Sequence, residues 1–206
     1  MSEETQAELV NLEMPFASIL ERVAAKSPGP GGGAVAAMAT CMAAALCAMA
    51  ARYAVGKMDS ALEIAERADE LRRKAEPLVE ADAAAFGQVM AALKLPKEPD
   101  PLARQQAIRR ALSDAADVPM AVAEMAAEVA SLGALLAQDG NPNLVGDAAI
   151  ACMLAEAATR SAACLVSLNL AGNREDHRLK RVSELVSKAA FAARRASRLA
   201  EESLHQ

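Results

Sequence analysis

Three short segments of this 206-residue chain carry residue types suited to chemistry on a small molecule. The first is Gly31-Gly32-Gly33, which opens a long apolar run. Glycines at a helix start leave backbone N–H groups and the positive end of the helix dipole open to an anion or a polar carbonyl. Three in a row cost more chain entropy than a simple turn between helices requires, and the segment has neither the Walker nor the dinucleotide-binding spacing. The second is Asp82, whose nearest helical neighbours are small or apolar. A carboxylate there is either part of a solvated helix face or a group placed to accept and return a proton. The third is Asn141, Asn143 and Asp147, gathered in one loop ahead of a helix. They suit contacts to a substrate, and equally suit capping and turn formation. Residue type and spacing leave both readings open at each place.

The elements that must position these residues read as helices almost throughout. Only 2% of the chain is aromatic while 53% is hydrophobic, and alanine is abundant, which favours helix over strand. A first helix is predicted from Pro15 to Lys26, ahead of the turn Ser27 to Gly33, and a second, buried one runs to about Val55. Asp59 or Ser60 caps the next, with Leu62, Ala65, Ala68 and Leu71 on its inner face, and it continues past Pro77 with a kink to Leu93. A proline-rich turn from Leu95 to Pro101 leads to a run from Leu102, with Ile108, Leu112 and Ala115 on one face, that Pro119 kinks or divides before it resumes to Leu136. Gly140 stops that helix. A helix from Ala148 to Leu168 and a last one from Glu175 to Glu202 complete a single all-α domain over residues 1–206, a multi-helix bundle around a long buried Ala-rich helix.

Composition also removes several function classes. A net charge of −5 offers phosphate backbones no attraction, so nucleic acid is not an expected partner. His177 and His205 stand in polar sequence without ligand spacing to cysteine or carboxylate, so no metal site is expected. Cys41, Cys47, Cys152 and Cys164 form no CxxC pair and read as small core residues in a reducing compartment. Ala34 to Ala51 is long enough to cross a bilayer, but ten of its eighteen residues are alanine and it carries Thr40, so it reads as a bundle helix and no membrane partner is expected. Met1 to Glu4 is acidic and unlike a signal peptide, which makes the cytoplasm the expected location.

An ordered set of motifs resembles a known family. It comprises Pro28-Gly29-Pro30-Gly31-Gly32-Gly33 followed by Ala34-Val35-Ala36-Ala37, Gly56-Lys57, Asp82 through Phe86, Leu95-Pro96-Lys97, Val118-Pro119, Gly140-Asn141-Pro142-Asn143, Asp147 and Asn169. The set resembles the formiminotetrahydrofolate cyclodeaminase domain and its stand-alone relatives, the methenyltetrahydrofolate cyclohydrolases. That resemblance implies an all-helical homodimer acting on a tetrahydrofolate derivative, with no further cofactor and with Asp82 as the catalytic aspartate. It assigns Gly31, Gly32 and Gly33 as backbone contacts, Asn141 and Asn143 as amide donors and Asp147 as an orienting carboxylate. Lys57 and Lys97 are the candidates to attract the anionic glutamate tail, or are solvated lysines. Where the family pattern has Ser, this chain has Gly146, and where it has Asn, this chain has Leu165.

Three functions remain open on this reading. One is hydrolysis of 5,10-methenyltetrahydrofolate to the 10-formyl form, which is preferred. The others are ammonia elimination from 5-formiminotetrahydrofolate, and a non-catalytic helical dimer or small-molecule binder. The three segments are expected to line one cleft, with a second subunit as a candidate to complete it.

Overall fold

The structure, a computed structural model, describes residues 11–27 and 29–203. Pro28 of the glycine-rich motif, His205 and the acidic start of the chain lie outside the described residues. Those described form eight α-helices and no strand: α1 Phe16–Ala24, α2 Gly32–Arg52, α3 Ala61–Ala75, α4 Leu78–Leu93, α5 Pro101–Ala115, α6 Asp117–Asp139, α7 Val145–Asn169 and α8 His177–Ser203. A short 3-10 turn, Pro142–Leu144, precedes α7.

Helix α2 is the axis of the fold, packed against α3, α4, α6 and α7, while α6, α7 and α8 pack on one another. The expected burial of the alanine-rich run holds, since Ala34, Ala37, Ala43, Ala44, Cys47, Ala48 and Ala51 are inaccessible to solvent. Two-thirds of the most apolar window of α2 is covered by the other helices. By length and composition α2, the stretch Pro101–Asp139 and the stretch Pro142–Asn169 are long and apolar enough to cross a membrane.

Small side chains let the helices approach closely, so the core is stabilised by many backbone-to-backbone contacts rather than by large residues. Gly133 on α6 marks a tight crossing, where a Cβ would stand 2.7 Å from the Cys152 sulfur and 3.2 Å from the Ala148 carbonyl of α7. The buried hydroxyls of Thr40 and Thr159 are satisfied within their own helices, donating to Ala36 O at 2.9 Å and Ala155 O at 2.8 Å.

Several boundaries differ from expectation for local reasons. The helix expected to run from Ser60 to Leu93 divides at Glu76-Pro77, where proline has no N–H to continue the ladder, and Pro77 becomes the cap position of α4. Leu62 faces solvent; the inner face of α3 is Ala61, Ile64, Ala65, Ala68 and Leu71. The next division falls at Ala116, not at Pro119, which sits in the first turn of α6 where its missing N–H breaks no bond. Cys164 is exposed on α7, whereas Cys41, Cys47 and Cys152 are buried as expected and burial pushes each of those thiols up to about 12.

Candidate active site

Asp82 lies one turn into α4, and α4 packs across the N-terminus of α2. Its carboxylate accepts the Ala34 N–H at 3.1 Å and so caps a helix from which it is separated by 48 residues. Gly33 makes this approach feasible, because a Cβ at that position would overlap the Asp82 carboxylate. Gly31 and Gly32 have open space where their side chains would be, and both line a cavity beside the carboxylate. The triple glycine thus has two causes: one residue admits Asp82 and the other two leave room.

The cavity holds about 310 Å³, a volume suited to part of a drug-sized ligand. Its floor is the α4 face Asp82, Phe86 and Val89, at the i, i+4, i+7 spacing of one helical side, and its far walls are Leu112, Ala115 and Pro119 from α5 and α6. Leu165 and Asn169, one turn apart near the end of α7, close the remaining side. Asn169 Nδ2 donates to Ala115 O at 3.0 Å, which ties α7 to α5 and leaves the side-chain oxygen as an acceptor. Burial raises the Asp82 carboxyl above its ordinary value, and the Ala34 N–H partly offsets that by favouring the charged form. A single carboxylate in an apolar recess, poised by these opposing effects, suits proton transfer to and from a bound molecule. Among the described residues no three His, Cys, Asp or Glu side chains gather as a metal ion would need.

The other candidate residues lie elsewhere in the chain. Past the C-terminus of α2, Gly56 adopts a positive φ of 81° and turns the chain, and Lys57 donates to Asn141 Oδ1 at 2.9 Å. Asn141 Nδ2 donates to Tyr53 O at 3.1 Å, and its Oδ1 also accepts the Asn143 N–H at 3.1 Å. Lys57, Asn141 and Asn143 therefore form a second cluster at the opposite end of α2 from Asp82, about 30 Å away along a 21-residue helix, and Asp147 follows them in the chain in the first turn of α7. Lys97 stands in the exposed turn between α4 and α5, outside both. The three segments do not share a cleft within this chain. Leu165 and Asn169, in turn, were not singled out as binding residues from the sequence. Their signal was the family resemblance, in which Asn169 belongs to the motif set and Leu165 stands where the family pattern has Asn.

Fold and cavity together define an all-helical protein with a carboxylate-lined cavity, a candidate small-molecule site, at the N-terminus of its buried helix. Residues 15–188 match the formiminotransferase-cyclodeaminase family, and the chain belongs to that family. It is 35% identical over 184 residues to a methenyltetrahydrofolate cyclohydrolase of Methylorubrum extorquens, covering 84% of this chain and 88% of that one. It is 29% identical to the formimidoyltransferase-cyclodeaminase of Gallus gallus over 90% of this chain, which spans 36% of that longer protein. In three dimensions it resembles the formiminotetrahydrofolate cyclodeaminase of Thermotoga maritima, with a TM-score of 0.80 at 28% identity, covering 92% of this chain and 96% of the other.

Proposed function

We propose that this protein hydrolyses 5,10-methenyltetrahydrofolate to 10-formyltetrahydrofolate, with Asp82 as the proton-transferring carboxylate. The observation that carries the reading is the half-buried Asp82 carboxylate in a cavity walled, apart from Asn169, by glycine and apolar residues, its pKa raised by burial. The bridging carbon of the substrate is an amidinium-like cation, which a neighbouring carboxylate stabilises. Water adds to that carbon and Asp82 takes one of its protons, giving a tetrahedral carbinolamine. Asp82 then returns the proton to the ring nitrogen N5 as the C–N5 bond breaks, the remaining hydroxyl proton leaves to solvent, and the formyl group stays on N10. No metal or further cofactor enters these steps. The similarity to the cyclohydrolase over most of both chains supports this reaction.

The structural likeness to the Thermotoga maritima cyclodeaminase supports a second reading at the same site. There N10 of 5-formiminotetrahydrofolate attacks the carbon of the protonated formimino group, and Asp82 takes the N10 proton and delivers it to the nitrogen that leaves as ammonia, giving the methenyl cation. Incubating the purified protein with each folate, following the methenyl chromophore and released ammonia, separates the readings. Consumption of the methenyl form supports hydrolysis, ammonia release supports the lyase reaction, and inertness toward both overturns the enzymatic reading.

The working unit in this proposal is a homodimer, soluble and cytoplasmic. Helix α2 leaves one stripe uncovered, running Val35, Ala39, Met42, Leu46, Met49 and Tyr53, and α7 beside it leaves Gly146, Ile150, Met153, Ala157, Ser161, Cys164 and Leu168. The α2 stripe alternates four- and three-residue steps, as in helices that pack against a partner, and the α7 stripe runs along one helical face beside it. Two adjacent helices of about 30 Å length and 10 Å width present about 600 Å² per protomer, close to the roughly 800 Å² of a standard interface. A two-fold axis lying across α2 sets partner helices antiparallel, so that Lys57 of the partner subunit arrives at the Asp82 end. A site built this way needs both clusters.

A further inference from the structure

The Asp82 cavity does not end at Asn169. Leu112 and Asn169 also line a second cavity of about 300 Å³, bounded by Arg109, Ser113, Leu170, Gly172 and Asn173. Ala115, Leu112 and Arg109 follow one another at three-residue intervals down the same side of α5, so the groove advances about 9 Å along that helix from the first cavity to the guanidinium.

Resting on the proposed folate reading, we propose that this second cavity is the carboxylate-recognition subsite of the same site, and that Arg109 receives the anionic glutamate tail of the substrate. The Arg109 side chain makes no hydrogen bond or ion pair among the described residues. Its helical neighbours three and four positions away are Gln105, Gln106, Leu112 and Ser113, none of them acidic. Of the other arginines nearby, Arg104 donates to Leu93 O and Leu95 O, Arg178 donates to Asp176, Asp117 and Ser113, and Arg110, unpaired among the described residues, lines a different cavity. Ser113 Oγ accepts from Arg178 at 2.7 Å, which leaves its own hydroxyl proton to donate into the cavity. The Asn173 side chain is likewise unpartnered among the described residues and supplies an amide donor.

The charge order along the groove matches the order along the substrate. Asp82 at one end favours the cationic reacting carbon and repels carboxylates, while Arg109 at the other end attracts them, so an elongated dianionic-tailed cation can enter in one orientation only. A guanidinium fork also fits a carboxylate with two parallel hydrogen bonds, which neither Lys57 nor Lys97 can offer.

The test compares wild type, Arg109→Gln and Arg109→Lys on methenyltetrahydrofolate and on the analogue lacking the glutamate. Arg109→Gln is expected to raise KM about tenfold on the glutamate-bearing substrate with kcat little changed, Arg109→Lys to fall between, and the analogue to give equal KM in all three. Equal KM values on the glutamate-bearing substrate overturn the subsite while leaving the proposed reaction standing. If wild type turns over neither folate, that reaction is overturned, and the subsite is judged by saturation-transfer NMR with p-aminobenzoylglutamate, the tail fragment alone. A signal present in wild type and lost in Arg109→Gln supports it, whereas no binding, or binding unchanged by the substitution, overturns it.

Discussion

Replacing Gly33 with alanine places one methyl group where the Asp82 carboxylate now sits. The obstructing atoms are the end of a side chain, so the fold is not forced apart; the carboxylate rotates away and loses the Ala34 N–H. Two effects on stability oppose each other. Alanine in place of glycine within a helix gains about 0.5–1 kcal/mol. Losing an N-terminal capping acceptor costs about 0.5–2 kcal/mol. The net change falls between about 0.5 kcal/mol stabilising and about 1.5 kcal/mol destabilising, where each 1 kcal/mol is worth about 2–4 °C in Tm for a chain of this size. Catalysis is far more sensitive, because displacing a reacting group by about 1 Å costs on the order of 10²-fold. Gly33→Ala is therefore expected to lower kcat about a hundredfold with a thermal midpoint near that of wild type. Gly32→Ala points its methyl into open cavity instead and is expected to act mainly on KM. Steady-state kinetics and thermal melts on both variants check this. A Gly33→Ala enzyme with wild-type kcat refutes the claim that the contact between α2 and Asp82 positions the reacting carboxylate.

Asp82→Asn keeps the shape and the capping acceptor but cannot accept a proton, so turnover is expected to fall about 10²–10⁴-fold. Because burial raises the folded-state pKa, the carboxyl contributes stability below its unfolded value of 3.8 that is lost as pH rises through the higher folded value; the variant is expected to gain stability relative to wild type over that rise, measured by denaturant unfolding. The wild-type kcat profile is expected to show an acid limb with its inflection above 3.8 that the variant lacks. Mixing Asp82→Asn with Lys57→Met subunits tests the shared site: at equal amounts half the dimers are mixed and each holds one intact site, so activity is expected to return to about a quarter of wild type. Mixed subunits that remain as inactive as the parents refute it. Arg178→Met leaves the largely buried Asp176 without its guanidinium and is expected to cost about 1–3 kcal/mol. Arg178 holds the Asp176 carboxyl down to about 2 from 3.8, so this contribution is present above 3.8 and disappears as pH falls through about 2; acid unfolding of the two proteins should converge there.

Helix content and the burial of α2 were legible in the sequence because both are written in local spacing. Where proline met a helical run the outcome was less legible. Pro77 broke the helix and Pro119 merely joined the first turn of the next, and the difference lies in whether the preceding turn had already ended at Ala116. Leu62 shows the same limit, since one face of α3 had two plausible centres and only packing against α2 selected Ala61 and Ile64.

Of the candidate site, the sequence by itself determined the chemistry: a glycine-rich helix start and a carboxylate set among small residues are visible as residue types, and their motif order carried the family resemblance. Which of those residues meet was decided by the tertiary structure alone. A helix is a rigid rod, and about 30 Å of α2 separates Asp82 and its cavity from Lys57 and Asn141, however close their roles appear in a list of motifs. Periodicity tells which side of a rod is apolar, but not which end of one rod lies against another. The burial that raises the Asp82 pKa, the collision space at Gly33 and the open groove to Arg109 all arise from crossings between helices far apart in the chain.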